Sequence, residues 1–283
     1  MSVSAADALR DAAARLAAVS DTPRLDAELL MAHAAGVTRE DLLLRLRDTQ
    51  TPEGFAALID RRLHHEPVSH ITGKRDFWTL ELSVTPDVLT PRPDTETLME
   101  AAVAHFRGTA GPRRVLDLGT GSGALLLAAL DQWREATGLG IDISAAALDV
   151  ARVNAQRCGL ADRAEFRQGD WFAGIDERFD LILANPPYIA TGTALAPEVA
   201  EHEPHGALFA GVDGLDAYRA IAPGLAARLA PGGLAAIEIG FDQQDGASRL
   251  FAGQGLTISV LTDLGGRPRC ITATHSAPLP ISG

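Results

Sequence analysis

At 283 residues, 46% apolar and 22% charged, the chain can bury a core in two modest domains, and disorder is not the starting assumption. No apolar run approaches the ~20 residues of a membrane-spanning helix, and Met1-Ser2-Val3-Ser4-Ala5-Ala6-Asp7 lacks the basic start and apolar block of a secretory leader. The net charge of −12 falls unevenly, with ten basic against eleven acidic residues in 1–75 and fifteen against twenty-six in 76–283, which argues against a nucleic-acid partner for the larger part.

The first 75 residues read as a small helical domain suited to docking. Ser4-x-x-Asp7 and Thr38-x-x-Asp41 resemble capping boxes, with Asp in place of Glu. Asp21-Thr22-Pro23 and Thr51-Pro52 place a proline in a first helical turn. Leu9/Ala13/Leu16, Leu25/Leu29/Ala32 and Phe55/Ile59/Leu63 recur at helical spacing, and no acid, base or metal cluster stands out. From Phe77 the period changes to two: Leu80, Leu82 and Val84 alternate with Thr79, Glu81 and Ser83, which predicts a half-buried strand in a hairpin linker over residues 76–93. Pro91-Arg92-Pro93-Asp94-Thr95-Glu96 then breaks the chain and opens a helix running to about Phe106.

Beyond Gly111-Pro112, apolar strands at 115–118, 139–143, 179–184 and 234–239, with another at 164–168, alternate with helices at 124–134, 145–157 and 215–229. Buried strands separated by helices predict an α/β, doubly wound, mostly parallel sheet over residues 94–283. Such sheets bind ligands beyond the carboxyl ends of their strands. Two groups of residues fall there.

The first is Asp117-Leu118-Gly119-Thr120-Gly121-Ser122-Gly123, between a strand and a helix. Glycines allow a tight turn and close approach to a bulky ligand. Asp142 ends the next strand, 23 residues beyond Gly119, where a carboxylate can accept both hydroxyls of a ribose. Gly119-x-Gly121-x-x-Ala124 also fits a dinucleotide fingerprint, so a nicotinamide enzyme is one reading. Asp170-Trp171 follows the third strand; Asp170 could accept an adenine amino group, and Trp171 either lies against the ring or is a core aromatic. Asp117 is read as holding the glycine turn.

The second is Asn185-Pro186-Pro187-Tyr188, directly after an apolar strand. An amide or aromatic amino nitrogen is a poor nucleophile because its lone pair is delocalised. Two acceptors for its two N–H hydrogens would aim that lone pair at an electrophilic methyl group. Asn185 offers its side-chain carbonyl and Pro186 its backbone carbonyl. The prolines stiffen the loop and remove competing donors, and Tyr188 offers a flat face to a planar group. No general base is needed, since the proton can leave after transfer.

With these motifs the chain resembles the class I, Rossmann-like amino-methyltransferases that use S-adenosylmethionine. His70-Ile71-Thr72-Gly73-Lys74-Arg75-Asp76-Phe77-Trp78, Thr90-Pro91-Arg92-Pro93-Asp94-Thr95-Glu96, Glu203-Pro204 and Gly214-Leu215-Asp216 more narrowly resemble the protein-(glutamine-N5) methyltransferases of peptide chain release factors. The resemblance covers nearly the whole chain and is weakest before residue 60. It implies a seven-stranded sheet and, as substrate, the glutamine of a Gly-Gly-Gln loop in a class 1 release factor. It also implies that Gly119, Thr120, Gly121, Ser122, Gly123, Asp142, Trp171 and Asn185 contact S-adenosylmethionine, with Asp170 beside them. Asn185, Pro186, Pro187 and Tyr188 would hold the glutamine, and Arg92, Thr95 and Glu96 would border the pocket without an assigned role. Thr90 and Pro268 depart from the family pattern, away from the expected chemistry.

The alternatives are N6-adenine methylation of RNA or DNA, which the same tetrapeptide could serve, and methylation of a ribosomal-protein glutamine. A dehydrogenase would need an acid–base group such as His202 or His205, which lie in a Glu- and Pro-rich loop. The histidines show no metal-ligand grouping, and the adjacent His64 and His65 fit a helix end. Cys158 and Cys270 read as free thiols of a cytoplasmic protein.

Overall fold

The structure is a computed structural model that describes residues 4–276, so residues 1–3 of the stretch read for a leader lie outside it. The chain forms two compact units: one runs to Lys74 and also takes in Leu195–Glu203, and the other comprises Arg75–Ala194 and the chain from Pro204 onward.

The first unit packs helices α1 (Ala5–Leu16), α2 (Pro23–Ala35), α3 (Arg39–Leu44), α4 (Phe55–Leu63) and α5 (Val68–Thr72), joined by Pro197–His202, which is α9 in chain order. Ser4 and Thr38 cap α1 and α3 by accepting from the Asp7 and Asp41 amides at 3.2 and 3.1 Å. Pro23 opens α2, and Gly36, in the left-handed region at φ +66°, closes it. Two expectations fail here. Helix α4 starts at Phe55 behind Gly54, so Thr51-Pro52 precedes the helix. On α2 the buried face carries Ala27, Leu30 and Met31, while Leu25 is exposed.

The cause on α2 is electrostatic. Asp26 and Glu28 are themselves buried, and they turn the helix toward their cationic partners. Arg62 pairs with Asp26 at 2.8 Å and with Glu198 of α9 at 2.8 Å. Ser20 and Thr22 also donate to Asp26, at 2.8 and 3.1 Å, while Arg24 and Arg39 hold Glu28. This charged cluster, drawn from separate stretches of chain, corrects the reading that the helical part has none. Leu9, Leu16, Leu30, Met31, Leu42, Phe55 and Ile59 form the apolar core beside it.

In the second unit a hairpin of β1 (Lys74–Phe77) and β2 (Leu80–Ser83) leads through a 3-10 turn at Pro93–Thr95 into α6 (Glu96–His105). Then follow β3 (Arg114–Leu118), α7 (Ala124–Gln132), β4 (Thr137–Asp142), α8 (Ala145–Arg157), β5 (Ala164–Gln168) and β6 (Phe179–Ala184). After α9 come α10 (Asp216–Arg228), β7 (Leu229–Glu238), α11 (Gln244–Ala252), β8 (Leu256–Thr262) and β9 (Pro268–His275). The seven-stranded sheet has the order β5-β4-β3-β6-β7-β9-β8, parallel except for β9, which runs antiparallel to both neighbours.

One face of the sheet is covered by a layer containing Leu98, Leu126, Leu127 and Leu130, and the other by one containing Tyr218, Ile221, Leu225 and Phe251. Apolar cover on both faces is why the central strands read as continuous apolar runs. Because β4 and β6 flank β3, the chain reverses direction across the sheet at β3, and a crevice opens beyond its carboxyl end. Cys158 and Cys270 are free thiols, and burial raises the pKa of each.

Candidate functional site

A cavity of about 650 Å³ lies at the carboxyl ends of β3, β4 and β6, a size suited to a small organic ligand. Gly119, Thr120, Gly121, Ser122, Asp142, Asp170, Trp171, Asn185 and Pro187 all reach its wall.

The glycine turn supplies one side. Gly119, Gly121 and Gly123 sit at φ +69°, +53° and +82°, where a side chain would be strained. At Gly123 an added Cβ would also lie 3.2 Å from Leu127 Cδ1 and 3.3 Å from Ala151 Cβ, so glycine lets α7 approach α8. The Gly119 and Thr120 amides both donate to the Ile141 carbonyl, at 2.8 and 2.9 Å, which ties the turn to β4. Asp142 accepts from the Gly121 amide at 2.8 Å and from the Ser144 amide at 2.9 Å, one on each carboxylate oxygen. Each oxygen keeps a further lone pair for a ligand hydroxyl.

Asp117 is buried behind the turn. Its Oδ2 accepts from Thr120 Oγ1 at 2.6 Å and from the Leu126 amide at 3.3 Å, while Oδ1 has no partner. Burial pushes its pKa up to about 7, against the lowering effect of the Thr120 hydrogen bond. Trp171, at φ +47°, packs on the apolar layer of the sheet and also faces the cavity, with its ring edge beside Gly119. Trp171 is thus part of the apolar layer and of the cavity wall at once. Asp170 is exposed at the cavity edge.

Asn185 ends β6. Its Nδ2 donates to Thr95 Oγ1 at 3.1 Å, which leaves the side-chain carbonyl as its unused group. Pro187 lines the cavity, whereas Pro186 is buried and neither it nor Tyr188 is on the wall. Tyr188 instead sends its hydroxyl to Glu238 Oε1 at 3.3 Å, and its carbonyl accepts from Gln243 Nε2 at 2.8 Å. Glu238 is fully buried, and burial pushes its pKa up to about 7, opposed by the Thr95 hydroxyl, Arg269 and Tyr188.

Sequence reasoning missed Asn154, Glu238 and Gln243. Asn154 accepts from the Ser83 amide at 2.7 Å and donates to the Ser83 and Ser122 carbonyls at 3.0 and 2.9 Å, joining β2 to the glycine turn. Each is a polar residue inside an otherwise apolar or helical pattern, and that is the only signal the sequence offered. His202 and His205 are absent from the cavity wall. His64 caps the end of α4. Among the described residues no group of His, Cys, Asp and Glu is arranged to hold a metal ion.

Residues 7–73 match the family described as the PrmC N-terminal domain, and residues 112–209 match a methyltransferase domain family. The release factor glutamine methyltransferase of Cereibacter sphaeroides is 49% identical over 95% of this chain and 98% of its own length. That of Rhodospirillum rubrum is 47% identical over 92% and 82%, and that of Moorella thermoacetica 42% over 94% and 96%. In fold alone, the chain is similar to the ribosomal protein L11 methylase of Lactobacillus delbrueckii subsp. bulgaricus (TM-score 0.51, 22% identity, 69% of this chain and 84% of that one). A methyltransferase from Pyrococcus furiosus gives a TM-score of 0.54 at 15% identity, over 77% of this chain and 98% of that one.

Proposed function

The chain belongs to the release factor glutamine methyltransferase family, and on that premise we propose that it methylates the side-chain amide nitrogen of the glutamine in the Gly-Gly-Gln loop of a class 1 release factor, in the cytoplasm. The observation that carries this reading is the amide of Asn185, held by Thr95 with its carbonyl spare, on the same cavity wall as the glycine turn and Asp142.

The residues present fit S-adenosylmethionine. The cavity has the volume for it, Asp142 keeps lone pairs for ribose hydroxyls, and Trp171 offers an aromatic face beside a turn whose three left-handed positions are glycines. When bound, the cofactor supplies an electrophilic methyl group on a sulfonium. Gly119, Thr120, Gly121, Ser122 and Gly123 shape its seat, and Asp170 stands at the edge for the adenine amino group. Asn185 Oδ1 and the Pro186 carbonyl accept the two N–H hydrogens of the glutamine amide and aim its nitrogen. Pro187 shapes the wall, and Tyr188, tied to Glu238 and Gln243, fixes the far end of the loop. Catalysis on this account is positioning, with no group required to remove a proton beforehand. The helical unit carries none of these residues, and we assign it to docking the release factor.

The test offers labelled S-adenosylmethionine with release factor, ribosomal protein and tRNA in parallel. Label should enter the release factor and vanish when its Gly-Gly-Gln glutamine is replaced by alanine. Label in tRNA alone would overturn the substrate and leave the cofactor site standing.

A further inference from the structure

We propose that Gln243 is a positioning residue for the substrate glutamine: its side-chain amide pins the exit of the Asn-Pro-Pro-Tyr loop at Tyr188 to the turn at Gly214, and so holds a second wall of the cavity in register with Asn185 and Pro186. This rests on the reading of that loop as the holder of the glutamine amide.

Besides the glycine turn and the strand ends, the cavity wall takes in Pro204, Gly206, Ala207, Phe209, Ala210 and Gly211. This segment runs alongside the chain that leaves the loop. The Ile189 amide donates to the Leu208 carbonyl and the Ala210 amide donates back to the Ile189 carbonyl, both at 2.9 Å. The Thr191 amide reaches the Gly211 carbonyl at 2.7 Å. The short parallel pairing begins just after Tyr188 and leaves the Tyr188 carbonyl to Gln243. Gln243 Nε2 donates to that carbonyl at 2.8 Å and to the Gly214 carbonyl at 3.2 Å.

The polarity of the amide is fixed by its partners. Neither carbonyl can donate, and Gln243 Oε1 takes the Gly240 backbone hydrogen at 3.1 Å, from a group that cannot accept. The Tyr218 hydroxyl donates to the same oxygen at 3.2 Å. A half-turn of the amide would set its oxygen against two carbonyls. The fit is also close: Gly214 is buried at φ +72°, and an added Cβ would lie 2.4 Å from the Tyr188 carbonyl oxygen and 2.5 Å from Gln243 Nε2. Gln243 occupies the N-cap position of α11, yet its side chain makes no cap, so the amide serves the loop and not the helix.

Gln243, Gly214 and Tyr188 are all absent from the cavity wall, so they act on a ligand only through the segments they hold. Between Asn185 and the pinned carbonyl of Tyr188 stand two prolines, whose rings lock φ. A shift at Tyr188 is therefore passed back to the Pro186 carbonyl and to Asn185 with little to absorb it. The hydroxyl of Tyr188 is held by Glu238 at 3.3 Å, so Gln243 completes the restraint at the backbone end.

The test compares Gln243→Met, Gln243→Glu and Gly214→Ala in the full chain, with release factor as substrate. Equilibrium binding of S-adenosylmethionine gives both its affinity and the number of competent sites, and kcat is expressed per competent site. Gln243→Met keeps the length and loses both hydrogen-bonding groups. It should lower kcat about ten- to fiftyfold, with cofactor affinity and the KM for release factor changed less than about threefold. Gln243→Glu keeps the acceptor for Gly240 and Tyr218 but turns a second oxygen toward two carbonyls, so at pH 8 it should be slower than Gln243→Met. Gly214→Ala presses on the same contact from the opposite side and should behave like Gln243→Met. A purely structural role would lower the number of competent sites and leave the rate per site unchanged, and that result in either Gln243→Met or Gly214→Ala overturns the proposal. A loss of cofactor affinity as large as the loss of rate, or a Gln243→Glu faster than Gln243→Met, overturns it as well. A wild-type protein that labels no release factor would instead overturn the function on which the proposal rests.

Discussion

Replacing Asn154 separates hydrogen bonding from packing at the seam between β2 and the glycine turn. The side chain is fully buried and satisfies three backbone groups: the Ser83 amide and the carbonyls of Ser83 and Ser122. A buried backbone group left without a partner costs about 1–3 kcal/mol. Ser83 is half-buried, so water can partly replace its two lost bonds, whereas Ser122 is buried and its carbonyl bears the full cost. Asn154→Ala should therefore lose about 3 kcal/mol, which corresponds to a fall in Tm of roughly 6–12 °C for a domain of this size. Asn154→Asp has nearly the same shape, yet it turns a carboxylate oxygen toward two carbonyls. At pH 8 it should be worse than alanine, and the difference should shrink as the pH is lowered and the acid takes a proton. Thermal unfolding of the two variants across pH reads both effects. An alanine variant within 1 kcal/mol of wild type, or an aspartate variant milder than alanine at pH 8, would refute the account.

Asn185→Ala should cut methyl transfer by at least about a hundredfold while cofactor binding stays within a few-fold, measured by initial rates and equilibrium binding. Arg62→Met leaves buried Asp26 without its cation and should destabilise the helical unit by about 3–5 kcal/mol in chemical denaturation. Asp117 has a folded pKa raised to about 7 from 3.8, so the folded state binds more protons than the unfolded state between those values and the wild type loses stability as pH rises through that window. Asp117→Asn should flatten this dependence, as seen by comparing unfolding midpoints at pH 5 and 7.5.

Much of the second unit was legible because its signals are local. The glycine turn, Asp142 and the loop after β6 each announce themselves within a few residues, and the runs in β3, β4 and β6 are apolar because both faces of the sheet are covered. Strands β8 and β9 gave no comparable run. β8 lies at the sheet edge with Thr257, Leu261 and Thr262 exposed, so half-polar alternation replaced the apolar signature. On α2 the leucine spacing misled, because burial there follows Asp26 and Glu28, which pair with Arg62 and Arg39 on other segments as well as with Arg24 of the same helix. Glu238 was hidden for a related reason. A carboxylate at the end of an apolar strand acquires meaning only when β6 and Tyr188 are placed beside it, and strand neighbours cannot be read from one sequence. Tyr188 was read as offering a flat face to the substrate, but its hydroxyl is turned to Glu238 and it is off the cavity wall.

The short helix α9 bears on how the protein can be taken apart. It is encoded inside the methyltransferase segment, yet it belongs to the helical unit, where Glu198 meets Arg62 at 2.8 Å. A fragment starting at Arg75 would carry Leu195–Glu203 with nothing to fold against, and a fragment ending at Lys74 would lack one wall of its own charged cluster. No single scission yields both units whole. Transplanting the helical unit between relatives would therefore require exchanging two stretches of sequence together, one of them downstream of the loop that begins at Asn185.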